Sequence, residues 1–156
     1  MNREIKFRAR PCYNGGKQPQ WVYGTFQYIA QRRVNPGATD NGMLEPRADK
    51  GRIVNIYGVE TEVLCDTLGQ FTGLYDKNGK EIYEGDILKV ECTDGSSICK
   101  LVRFVSEKGA FCMANTFELC HEKRWDIWDC MSQKWINEME TIVIGNVHDN
   151  PELLKQ

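Results

Sequence analysis

Residues 69–90 read Gly69-Gln-Phe-Thr-Gly-Leu-Tyr-Asp-Lys-Asn-Gly-Lys-Glu-Ile-Tyr-Glu-Gly-Asp-Ile-Leu-Lys-Val90, and this stretch decides the fold. Two short strand candidates, 74–76 and 80–83, flank Asn78-Gly79. Asn-Gly is a strong hairpin signal because both residues tolerate positive φ. A two-residue loop would set Asp76 against Glu81 and Lys77 against Lys80, and directly opposed like charges weaken a ladder. A three-residue loop sets Asp76 against Lys80 and Leu74 against Ile82, two favourable pairs of about 0.2–1 kcal/mol each. The three-residue loop is therefore expected, with Gly79 at positive φ. Glu84-Gly85-Asp86 forms a second turn, built on Gly85 and Asp86, and Ile87-Leu88-Lys89-Val90 leaves it as a strand. This density of strands and turns specifies an antiparallel meander.

On the N-terminal side, residues 4–10 alternate, with Ile5, Phe7 and Ala9 on one face and Lys6, Arg8 and Arg10 on the other, as in a half-buried strand. Pro11 ends it. Residues 21–29 are aromatic and β-branched, a second strand, in which Gly24 marks a bulge or a close backbone approach. Residues 31–51 contain Pro36-Gly37, Asn41-Gly42 and Pro46 with few apolar positions, and read as a long loop. Residues 52–57 and 59–64 are two further strands, bent apart at Tyr57-Gly58.

On the C-terminal side, Asp94-Gly95 marks a hairpin into a strand over 98–105. A two-residue loop pairs Leu88 with Leu101 and Val90 with Cys99. A four-residue loop pairs Glu91 with Lys100 and Cys92 with Cys99. The first is preferred, because apolar burial at about 25 cal/mol per Å² outweighs one exposed charge pair. Lys108-Gly109 turns into a strand over 110–114. Residues 117–139 read as helix or strand. Trp125, Trp128, Trp135 and Met139 share one side of a helical wheel, which favours a helix in the C-terminal part. A last strand covers 141–147, and Asn150-Pro151-Glu152 opens a short helical turn.

At 156 residues, the chain is one domain or two small sub-parts. Residues 1–58 carry ten basic against four acidic side chains, a charge of +6, and residues 59–156 carry ten against eighteen, a charge of −8. The halves could pair within one fold or between subunits, although charges spread over a solvated surface account for the pattern as well. No signal-peptide core opens the chain, and no apolar run approaches the ~18 residues of a membrane span. A cytoplasmic protein without membrane contact is expected, with its seven cysteines as thiols.

The central motif, the opening Arg3-Glu-Ile-Lys-Phe-Arg-Ala9 and the tail Ile144-Gly-Asn-Val-His-Asp-Asn-Pro-Glu-Leu-Leu154 resemble the YopX-like proteins of phages and prophages. The resemblance implies that residues 1–156 form one family unit, and within it the strand pattern allows sub-parts at 1–64 (N-terminal strands with the long loop) and 65–156 (meander and C-terminal helix). It also implies a small β-rich protein of a phage or integrated element, and it brings no catalytic residues. Residues 84–90 are similar to the opening strand of SH3-like barrels as well.

Chemistry-bearing clusters are sparse. Cys112, Cys120, His121 and Cys130 are too widely spaced for usual structural zinc ligation, so no metal is expected. Glu81, Glu84 and Asp86 read as turn and surface residues rather than a catalytic set. No cofactor-binding glycine motif or nucleophile elbow occurs, so neither a cofactor nor a catalytic residue is assigned. Arg3, Lys6, Arg8 and Arg10, with Arg32 and Arg33 at the start of the long loop, are candidate nucleic-acid contacts, and Tyr13, Trp21, Tyr23 and Tyr28 lie between them. A polar strand face with aromatics in the core is the plainer account of the same residues. Trp125, Trp128 and Trp135 are candidates for an interaction surface.

The expected fold is all-β: a small antiparallel barrel or sandwich with SH3-like elements in its C-terminal half and one or two short helices. The expected function is non-enzymatic binding or assembly, through homo-oligomerisation or with a phage or host protein. Nucleic-acid binding is the first alternative. A hydrolase whose site the sequence does not reveal is the second.

Overall fold

A computed structural model describes residues 4–12, 20–32, 44–92, 94–116 and 129–155. Contacts divide the chain into two compact units, Ile5–Gln70 and Phe71–Gln156 with Met1–Glu4. Eleven strands are seen among the described residues, all antiparallel, with one α-helix and two 3₁₀ turns. The fold is β-dominated as expected, and no sheet closes into a barrel among the described residues.

In the unit Ile5–Gln70, β1 (Phe7–Ala9), β2 (Val22–Arg32), β3 (Leu44–Val54) and β4 (Glu60–Leu64) lie in the order β4-β3-β2-β1. The first residues of β5 (Gly69–Tyr75) pair with β1 on its other side. Ala9, Ile53 and Val63 are buried, with Phe7, Val22, Phe26 and Leu68 packed on them, so the alternation of β1 sets its core face. The ordered strand is shorter than the sequence suggests, since Ile5 is exposed. Just before Pro11, a 3₁₀ turn at Cys65–Thr67 secures the chain: the Thr67 hydroxyl accepts from the Arg10 amide and donates to the Leu64 carbonyl.

The loop expected over 31–51 is shorter than its composition implies. β2 and β3 extend into it through the pairs Ala30↔Pro46, Gln31↔Glu45 and Arg32↔Leu44. A register shift between Tyr28 and Ala30 accommodates this, and a bulge is where a strand tolerates a proline such as Pro46.

In the other unit, β7 (Asp86–Glu91), β8 (Ser97–Val105), β9 (Ala110–Asn115), β10 (Asp129–Cys130) and β11 (Ile142–Asn146) form a sheet in the order β10-β9-β8-β7-β11. Both faces are buried. Ile87, Leu101, Val105, Cys112 and Ala114 meet Leu153 and Leu154 of the C-terminal 3₁₀ turn (Pro151–Lys155). Leu88, Val102 and Met113 meet Ile82 of β6 (Glu81–Tyr83) and Ile136 of α1 (Gln133–Glu138). Burial on both sides explains why Ile87-Leu88 breaks strict alternation.

At the β5–β6 turn Asp76 lies opposite Lys80 as expected, for a different reason, but a register shift between Phe71 and Tyr75 follows, and the ladder pairs Tyr75 with Glu81 and Phe71 with Tyr83, not Leu74 with Ile82. The Asp76 amide donates to the Lys80 carbonyl (2.8 Å), and Gly79 has φ +79°. The Asp76 carboxylate, however, accepts from the backbone amides of Asn78 and Lys80 instead of pairing with the Lys80 ammonium. Gly85 has φ +83°, and Asp86 accepts from the Tyr83 amide, so both turn residues act as read. Glu81 and Glu84 are engaged rather than purely solvent-facing: Glu81 accepts from the Tyr83 hydroxyl and Glu84 from the Phe104 amide.

The β7–β8 register differs from both alternatives. Ile87 faces Leu101, Leu88 faces Lys100 and Val90 faces Ile98. The Cys92 amide donates to the Ser96 carbonyl and Gly95 has φ +83°, repeating the arrangement at 76–80. The left-handed glycine favours this loop, and the register takes Lys89 away from Lys100 and sets it opposite Cys99.

Candidate interaction site

Among the described residues, the most exposed apolar group lies in the β3–β4 turn, residues 55–59. Ile56 is 88% exposed, Tyr57 83% and Val59 56%. The turn is nonetheless well tied. The Asn55 amide donates to the Val59 carbonyl and the Gly58 amide to the Asn55 carbonyl. The Asn55 side-chain oxygen accepts from the amides of Tyr57 (2.9 Å) and Val59 (3.0 Å). Gly58 takes φ +76° with open space around it. At the base of the turn, Gly24 lets the Val54 carbonyl and Asn55 approach β2 so closely that any Cβ there would collide. Gly24 therefore serves the close approach that its place inside a strand suggested.

The basic face of β1 lies in the same unit. The Lys6 ammonium is 5.8 Å from the Tyr23 ring centre, and the guanidinium groups of Arg8 and Arg10 are 4.8 and 5.5 Å from the Trp21 ring. Arg8 faces Tyr23 across the ladder and is only 6% exposed. Such stacking contributes about 0.5–2 kcal/mol per pair, more when desolvated. The structure thus brings Lys6, Arg8 and Arg10 together on one aromatic-backed face. Arg3, Arg33 and the Arg32 side chain lie outside the described residues.

Of the tryptophan stripe, Trp125 and Trp128 lie outside the described residues. Trp135 is on α1, half-buried against the cluster that contains Ile82, Leu88, Val102, Met113 and Ile136. Ser132 caps that helix by accepting from the Trp135 amide. Asn78, Gly79 and Gly85 occupy turns, and Asp86 opens β7 directly after the second of them. Among the described residues, no group of three or more His, Cys, Asp or Glu is placed to hold a metal ion, and Cys120 and His121 lie outside them. A shallow depression of about 230 Å³ is lined by Gln27, Tyr28, Ile29 and Arg52, with Arg52 paired to Glu60 (2.6 Å). Among the described residues, no helix is long and apolar enough to cross a membrane.

Sequence reasoning missed the turn as a site because Tyr57-Gly58 reads only as a bend. The available signal was a pair of large apolar residues at a hairpin tip, where polar residues are usual.

Comparison with solved structures finds protein EF1440 from Enterococcus faecalis, at 24% identity and a TM-score of 0.51, covering 98% of this chain and 99% of that one. The likeness supports the fold alone. No curated protein matches the sequence. The family described as "YopX protein" matches over residues 16–155, nearly the whole chain. The chain belongs to the YopX family.

Proposed function

We propose that this is a non-enzymatic assembly protein of a phage or mobile element, and that copies of the chain associate through the 55–59 hairpin tip. The observation that carries this reading is the exposure of Ile56, Tyr57 and Val59 on a turn whose backbone is already fixed. A preordered aromatic and aliphatic tip loses little entropy on docking, and its burial contributes about 25 cal/mol per Å². The opposed charges of residues 1–58 and 59–156 add complementarity between copies. Light scattering over a concentration series tests it. The wild type is expected to oligomerise, and the Ile56→Ser/Tyr57→Ser variant to remain monomeric. A wild type that stays monomeric at high concentration sinks the reading.

A second reading, nucleic-acid binding, is favoured by the alignment of Lys6, Arg8 and Arg10 over Trp21 and Tyr23. It requires retardation of DNA or RNA that weakens steeply with salt. Absence of retardation at low salt removes it.

A further inference from the structure

Cys112 and Cys130 face each other directly across the β9–β10 ladder. The next pair along, Met131 and Phe111, is joined by a backbone hydrogen bond from the Met131 amide (3.2 Å). In an antiparallel ladder the hydrogen-bonded and non-bonded pairs alternate, so Cys112 and Cys130 occupy a non-bonded position. Cα atoms of such pairs are about 4.5 Å apart, within the range a disulfide spans. The two Sγ atoms lie 3.6 Å apart, with the Cys112 thiol donating to Cys130. Their surroundings differ sharply, since Cys112 is fully buried and Cys130 exposed.

We propose that Cys112 and Cys130 are a redox-active dithiol, which a low-molecular-weight disulfide such as oxidised glutathione converts into an intramolecular disulfide tying β10 to β9. Exposed Cys130 reacts first. Its thiolate attacks one sulfur of the glutathione disulfide, and one glutathione leaves and takes up a proton. Cys112 then loses its proton to solvent and attacks the Cys130 Sγ beside it, releasing the second glutathione. Two protein thiols are oxidised, one small disulfide is reduced to two thiols, and no further reactant is needed. Burial and the hydrogen bond to Cys130 push the Cys112 thiol up to about 11, so Cys112 is the resolving partner and not the attacking one.

The test treats the full chain with oxidised glutathione in the presence of a chelator, followed by intact mass and peptide mapping. Wild type is expected to lose two hydrogens, to give a peptide linked through Cys112 and Cys130, and to recover both thiols with dithiothreitol. Cys112→Ala is expected to stop as a stable glutathione adduct on Cys130. Cys130→Ser, at an exposed position that leaves the core intact, is expected to leave Cys112 unmodified. A persistent adduct on Cys130 in the wild type, a linkage between other cysteines, or inertness of both thiols overturns the proposal.

Discussion

The Asp76 carboxylate accepts a hydrogen bond from the Val143 backbone amide at 3.0 Å, across 67 residues of sequence. Its other oxygen holds the amides of Asn78 and Lys80, and the Lys77 amide donates to the Thr141 carbonyl nearby. A turn residue thus fixes the start of β11 as well as its own hairpin. Asp76 is 5% exposed, so its removal leaves the Val143 amide without this acceptor. Hydrogen bonds to a charged group contribute about 1.5–3 kcal/mol each and do not simply add. Asp76→Ala is expected to lower stability by about 3–5 kcal/mol in urea unfolding, and Asp76→Asn, which keeps one acceptor oxygen, by clearly less.

Gly24 combines a close backbone approach with a φ of +155° that side chains rarely adopt. A Cβ there meets the Val54 carbonyl, which is backbone and cannot swing aside. Gly24→Ala is expected to destabilise by about 3 kcal/mol or more, as overpacking does. Gly109→Ala, at φ +59° in open space, should stay near the 1–2 kcal/mol of a left-handed alanine. Parallel thermal melts check the order, and equal effects would contradict it.

That contrast shows what the sequence made legible. Turn chemistry was readable, because Asn78-Gly79 and Gly85 carry their geometry locally. The β7–β8 register was not, because the choice rested on apolar faces while the sheet buries both of them. The extension of β2 and β3 toward Arg32 and Leu44 was hidden by Pro46, which reads as a loop residue until a bulge accommodates it. The basic strand was visible as a pattern, but the burial of Arg8 against Trp21 depends on β1 and β2 being neighbours. The exposed tip follows from where a hairpin ends, which composition does not encode.

The Arg8–Trp21 stack should behave as an energetic pair. A double-mutant cycle with Arg8→Met and Trp21→Leu is expected to give a coupling of about 0.5–2 kcal/mol in denaturant unfolding. Zero coupling would mean that the Trp21 ring adds nothing to the stability Arg8 contributes.

The hairpin tip should contribute little to stability. Ile56→Ser and Tyr57→Ser are each expected to change unfolding free energy by less than about 0.5 kcal/mol, as exposed substitutions do. Asn55→Ala, which removes the acceptor for two amides, is expected to lose about 1 kcal/mol.

Stability should fall in alkali through Cys112. Its thiol is pushed up to about 11, chiefly by burial, so the folded state holds its proton where the unfolded chain releases it. That contribution is complete below the ordinary thiol range and is lost as pH rises from about 8.5 toward the folded value. Urea midpoints across this range should fall more steeply for wild type than for Cys112→Ala. Parallel slopes would exclude the thiol as the cause.

The sheet of β7, β8 and β9 is buried on both faces, and this has a consequence for how the chain finds its fold. In a one-sided sheet, a strand that slips by one residue turns its apolar set toward water and is rejected at once. Here a slipped strand still finds apolar company on either side. Proofreading of the pairing therefore falls to the hairpin loops, where Gly95 and Gly109 admit only some alignments. Loss of either glycine should appear first as heterogeneous refolding, with misaligned compact chains that anneal slowly, and only second as a lower equilibrium stability.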